Sequence, residues 1–61
     1  MGFKEDTAKK FKKAREEQGL TQAQVAKMAK ISTNYYARIE RADPEPRGNI
    51  VDRIENALGL K

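Results

Sequence analysis

The stretch that decides the fold is Thr21-Gln22-Ala23-Gln24-Val25-Ala26-Lys27-Met28-Ala29-Lys30-Ile31-Ser32-Thr33-Asn34-Tyr35-Tyr36-Ala37-Arg38-Ile39-Glu40-Arg41. Thr21 and Gln24 form a capping box: the Thr hydroxyl can accept from the Gln24 backbone, and the Gln24 amide can reach back. This predicts a helix over about 22–29 with Val25, Ala26 and Ala29 facing inward. Ser32 is a good N-cap and predicts a second helix over about 33–41. Only Lys30, Ile31 and Ser32 separate the two, so the link forces a sharp angle rather than a straight continuation.

Outward from this pair, Gly19 suits the left-handed position that ends a helix. Before it, Thr7 or Ala8, Phe11, Ala14 or Arg15, and Gln18 fall at helical spacing, which predicts a first helix over 5–18. After it, Ala42 to Gly48 contains Pro44 and Pro46 and reads as a loop. Ile50, Val51, Ile54, Ala57 and Leu58 then mark the apolar side of a fourth helix over about 48–58, closed by Gly59. No segment alternates with period two. The chain reads as all-α, a compact bundle of four short helices forming one domain over residues 1–61. At this size folding hides only about 60% of the unfolded surface, which leaves little room for a buried substrate cavity.

The composition removes whole classes of chemistry. There is no Cys and no His. Disulfides, Cys/His zinc sites, thiol nucleophiles and imidazole bases are excluded together. Ser32 is the only Ser and has no activating base. Adjacent Glu16 and Glu17 diverge on a helix and make no acid/base pair. No Gly-rich phosphate loop or metal spacing is present. The chain is therefore read as a non-enzyme with no cofactor, no metal and no small-molecule substrate. No apolar run approaches the roughly 20 residues of a membrane span, so no membrane partner is expected, and the cytoplasm is the expected compartment.

The formal net charge is +4, unevenly distributed. Residues 1–19 carry net +2, residues 20–41 net +3 and residues 42–61 net −1. A basic segment suits an anionic partner, most often nucleic acid. The run Lys9-Lys10-Phe11-Lys12-Lys13 reads more simply as a solvated helix face with Phe11 turned inward. Met28 reads as a gap-filler at the core margin.

On a helical wheel the helix at about 33–41 has two unlike sides. Tyr36, Ile39 and Glu40 share one. Asn34, Arg38 and Arg41 share the other, with Thr33 and Ala37 flanking them. The apolar side must face the core, so the polar side faces solvent or a ligand. Asn can bond adenine bidentately, Arg can bond guanine, and Ala or a Thr methyl can meet a thymine methyl.

The pattern from Gln22 to Ile39 resembles the helix-turn-helix of the Cro/repressor (Xre) family of bacterial and phage regulators. Gly19-Leu20-Thr21-Gln22, Val25-Ala26, Ile31-Ser32, Ile39 and Glu40-Arg41 carry the likeness. Lys13-Ala14-Arg15-Glu16-Glu17 looks like the end of that family's first helix, and Ala57-Leu58-Gly59 like part of its fourth. The likeness covers roughly residues 8–60. It implies a lambda-repressor-like fold without the usual fifth helix, and a transcriptional regulator, repressor-like, associated with a bacterial or phage nucleoid. It implies double-stranded DNA as partner. The family's fifth helix often helps dimerisation, so here binding is expected to be weak unless Leu58, Leu60 or a lost C-terminal region supplies a homodimer contact.

Carried over by position, the resemblance places Ser32, Thr33, Asn34, Ala37 and Arg38 on base edges. Gln22, Lys30, Tyr35, Arg41 and Arg47 would meet the DNA backbone. Arg15 and Glu40 would form a buried structural ion pair. Apart from the resemblance, Asn49 reads as the cap of the fourth helix, with a phosphate contact as its second role. This chain also departs from the family pattern. Lys30 and Ala42 stand where Gly is usual, Tyr36 where an aliphatic residue is usual, and Asp43 and Glu45 make the following loop acidic. Lys30, Ala42 and the acidic loop are what an alternative reading would use: a helix-turn-helix-fold protein-interaction domain without DNA function.

Overall fold

A computed structural model describes residues 3–43 and 48–60, with side chains described from residue 5 onward. The described residues form four helices and no strand: α1 (Phe3–Glu17), α2 (Gln22–Ala29), α3 (Thr33–Glu40) and α4 (Gly48–Ala57). The all-α, four-helix reading holds. The helix ends move by one or two residues: α1 starts at Phe3 and stops at Glu17, α3 stops at Glu40, and α4 at Ala57. Among the described residues no helix is long and apolar enough to cross a membrane.

Local chemistry starts the helices. Glu5 and Asp6 in the first turn of α1 complement the positive end of its dipole. The capping box at α2 is complete: Gln24 N–H donates to Thr21 Oγ1 at 3.1 Å, and Thr21 N–H donates to Gln24 Oε1 at 2.8 Å. At α3, Ser32 Oγ accepts from Tyr35 N–H at 3.0 Å.

All four helices stop in the same way. Leu20 N–H reaches back to Arg15 O, Ile31 to Ala26 O, Asp43 to Arg38 O and Leu60 to Glu55 O, at 2.8–3.1 Å. This closure needs one left-handed residue just past each helix. Gly19 (φ +68) and Gly59 (φ +71) supply it without steric cost. Lys30 (φ 61) and Ala42 (φ 59) supply it as non-glycine residues, so the two strained stops bracket α3. A left-handed conformation costs an L-residue roughly 1–2 kcal/mol, while glycine adds roughly 0.5–1 kcal/mol of chain entropy. Ala42→Gly is therefore expected to stabilise the fold by about 0.5–1 kcal/mol, seen as a thermal midpoint a few degrees higher. An unchanged or lower midpoint counts against strain at this stop.

One core holds the helices together. Phe11 and Ala14 from α1, Val25, Ala26 and Ala29 from α2, Tyr36 and Ile39 from α3, and Ile54 and Leu58 at the end of the chain form a single buried cluster. Leu20, Ile31, Tyr35, Ile50, Val51 and Ala57 pack around it. α2 lies against both α3 and α4, and α1 against α3. Lys10 Nζ meets Glu55 Oε2 at 2.9 Å, and Gln18 Nε2 donates to Leu58 O at 2.6 Å, tying α1 to the α4 end.

Three expectations change. Met28 is 48% exposed rather than filling a gap at the core margin. Leu58 is 2% exposed, so its side chain serves this core and is not available to a second copy. Asn49 lies inside the first turn of α4, which begins at Gly48, so it cannot be that helix's N-cap.

Candidate nucleic-acid interface

The side of α3 turned from the core is built by position alone. Tyr36 and Ile39 are buried, which forces Thr33, Asn34 and Arg38 outward as exposed side chains with Ala37 half-buried between them. Ser32 sits at the head of this face with its Oγ committed as the cap acceptor, leaving its hydroxyl proton as a donor. Tyr35 is half-buried and packs on the core edge. Arg41 closes α3 with φ −89 and ψ 3 and is exposed. Lys30 is exposed at the turn entering α3, and Asn49 is exposed on α4. Arg47 lies outside the described residues.

Behind the face, a polar network sets its orientation. Arg15 Nε donates to Glu40 Oε2 at 2.7 Å and Nη2 donates to Glu40 Oε1 at 3.1 Å, a two-point pairing. Arg15 Nη1 also donates to Leu20 O at 2.9 Å. Gln22 Nε2 donates to Glu40 Oε1 at 3.0 Å. Helices α1, α2 and α3 thus meet at one carboxylate whose side chain is 4% exposed. Burial pushes the Glu40 carboxyl upward, but the hydrogen bonds from Arg15 and Gln22 and the Arg15 charge outweigh it and hold it below its ordinary value. The Glu40 hydrogen bond raises the Arg15 guanidinium more than burial lowers it.

Tyr36 borders this network. Its hydroxyl is buried and, among the described residues, has no partner with hydrogen-bonding geometry, although Glu40 and Arg15 lie within electrostatic reach. Burial first, and the nearby carboxylate second, raise the phenol well above its ordinary value, so it stays neutral.

The structure adds two facts about candidate contact residues. Gln22 is half-buried and already uses its amide toward Glu40, leaving a second amide hydrogen. Arg38 Nε donates to Asp43 Oδ2 at 3.2 Å. The sequence marks Asp43 only as part of an acidic loop. Five-residue spacing across a helix stop is the signal for that pairing, and it becomes readable only once the stop geometry is known.

A family model described as helix-turn-helix matches residues 11–61, from the middle of α1 through α4. Comparison with curated proteins and with solved structures gives no match. The match spans most of the chain and takes in the capped α2, the three-residue turn and α3 with its outward polar face, and the chain belongs to the Cro/repressor-type (Xre-like) helix-turn-helix family of DNA-binding transcription regulators.

Proposed function

We propose that this chain is a sequence-specific, repressor-like regulator that lays α3 in the major groove of double-stranded DNA. The observation that carries the reading is the outward face of α3, where Thr33, Asn34 and Arg38 stand exposed opposite the buried Tyr36 and Ile39. Ser32, Thr33, Asn34, Ala37 and Arg38 meet base edges, since amide, guanidinium and methyl groups are the ones that distinguish base pairs there. Gln22, Lys30, Tyr35, Arg41, Arg47 and Asn49 meet the backbone. Gln22 does so with the amide hydrogen that Glu40 leaves over, at the positive end of α2. Two copies act on two half-sites, with Leu60 (40% exposed) on the outer surface near the end of α4.

Selection of bound sites from a random duplex library tests this. A recurrent short motif supports it, and two related half-sites support the dimer. The cations assigned to phosphates are Lys30, Arg41 and Arg47. Three such contacts per copy give a slope of roughly −3 for log affinity against log salt for one bound copy, or about forty-fold weaker binding between roughly 50 and 200 mM, and about twice that slope for two copies on two half-sites. A salt-independent affinity would sink the assignment. In an NMR titration with duplex DNA, shifts at Gln22 and along α3 are expected. Shifts confined to α4 and the loop before it would replace this reading with the protein-interaction one, which the acidic residues beside α3 favour.

A further inference from the structure

Asp43 follows α3 and is tied twice to one residue of it. Its backbone N–H donates to Arg38 O at 3.0 Å, and its Oδ2 accepts from Arg38 Nε at 3.2 Å. The first bond is the long closing bond of the helix stop, made possible by Ala42 at φ 59. The carboxylate therefore does not hang from a free loop: its backbone anchor is fixed to the turn of helix that carries Arg38. Both side chains are about half exposed, so the pair stands on the surface where a ligand meets α3.

The pairing engages Nε. Guanine recognition needs two guanidinium donors converging on O6 and N7. An Arg restrained at Nε presents its terminal edge in a limited set of directions, and less rotamer freedom is lost when a base is engaged. A negative charge beside the reading helix also opposes attachment to phosphates in the wrong register.

We propose that Asp43 is a positioning residue that sets specificity: it holds Arg38 by Nε toward one guanine and disfavours loose binding to DNA of other sequence. This rests on the reading that α3 enters the major groove. On base preference the residue acts through Arg38, so its effect on discrimination must vanish when Arg38 is absent.

The test compares wild type, Asp43→Ala, Asp43→Asn, Arg38→Ala and the Arg38→Ala/Asp43→Ala double variant. Each is titrated with the selected site, with that site altered at the Arg38-dependent base pair, and with random duplex. Asp43→Ala keeps the backbone bond that closes α3. Its discrimination between the first two duplexes is expected to fall about two- to five-fold, the range open to an exposed ion pair. Its binding to random duplex is expected to tighten. Asp43→Asn keeps an acceptor for Nε and is expected to retain part of the discrimination while binding random duplex more tightly. In the Arg38→Ala background, Asp43→Ala is expected to leave discrimination unchanged.

Equal tightening on all three duplexes by Asp43→Ala would show a charge that only repels phosphate, and would overturn the proposal. No change on any duplex would overturn it as well. If wild type shows Arg38-dependent base preference and Asp43 has no effect on it, this proposal alone fails. If wild type shows no preference that Arg38→Ala removes, the reading of α3 fails and takes this proposal with it.

Discussion

Arg15→Ala is expected to destabilise the fold by about 3–5 kcal/mol, because it strands a buried carboxylate. Glu40 has a 4% exposed side chain and accepts two of its bonds from Arg15, leaving Gln22 Nε2 as its one partner among the described residues after the change. A 61-residue domain has roughly 3–9 kcal/mol of stability in total, so a large part of it is at stake. Arg15→Lys is no rescue: the guanidinium serves Glu40 through Nε and Nη2 and Leu20 O through Nη1, and one ammonium cannot reproduce that fork. Arg15→Ala/Glu40→Gln is expected to regain part of the loss, since the unpaired charge goes while an acceptor for Gln22 stays. Denaturant titrations of the four proteins measure this. A double variant no more stable than Arg15→Ala would show that lost packing, not the stranded charge, sets the cost.

The same pair gives a pH dependence with a defined sign. The Glu40 carboxyl lies lower in the folded state than its ordinary value of 4.5. A lowered carboxyl stabilises fully above its unfolded value and loses that contribution as pH falls through the folded one. Wild type is therefore expected to weaken only below about the ordinary carboxylate range. In Arg15→Ala the opposing hydrogen bonds are mostly gone and burial dominates, so the folded carboxyl is expected to rise above its unfolded value, and protonation on acidification is expected to recover part of the lost stability. Thermal midpoints across a pH series read both responses. A gap between wild type and Arg15→Ala that does not narrow as pH falls would mean that another group governs acid unfolding.

What could be read from the chain was what local chemistry controls. Thr21 with Gln24 and Ser32 with Tyr35 are bonds between residues three apart, so residue types alone place them. The inward set of α2 and the two-sided character of α3 follow from helical periodicity in the same way. Lys30 and Ala42 were visible as departures from glycine, and both do take a positive φ. Long-range partners were not readable from spacing. Lys10 with Glu55 and Gln18 with Leu58 depend on how α1 crosses the α4 end. Arg15 with Glu40 came only through family likeness. Asn49 misled because a good capping side chain one residue inside a helix looks, in sequence, like the cap itself. Leu58 was legible on the apolar side of the fourth helix, and only its second role, toward a partner, falls because the packing buries it in the chain's own core.

Arg38→Ala is the sharpest expected result on function. Arg38 is 48% exposed on its side chain and, among the described residues, its side chain bonds to an exposed Asp43, a pair worth roughly 0–1 kcal/mol, so the fold is expected to survive its removal. The effect should therefore fall on DNA. If its guanidinium meets a guanine, the selected site loses about 1–3 kcal/mol of binding, and the preference at that one base pair relaxes. Arg41 offers the internal control. It is equally outward but stands at the helix end and is assigned to phosphate, so Arg41→Ala should weaken all duplexes alike and lower the salt slope by about one. The two variants separate base reading from charge. A uniform loss in both would mean that Arg38 also serves only phosphate. If Arg38→Ala leaves affinity and base preference unchanged on the selected site, α3 is not the reading element, however well its outward face fits the part.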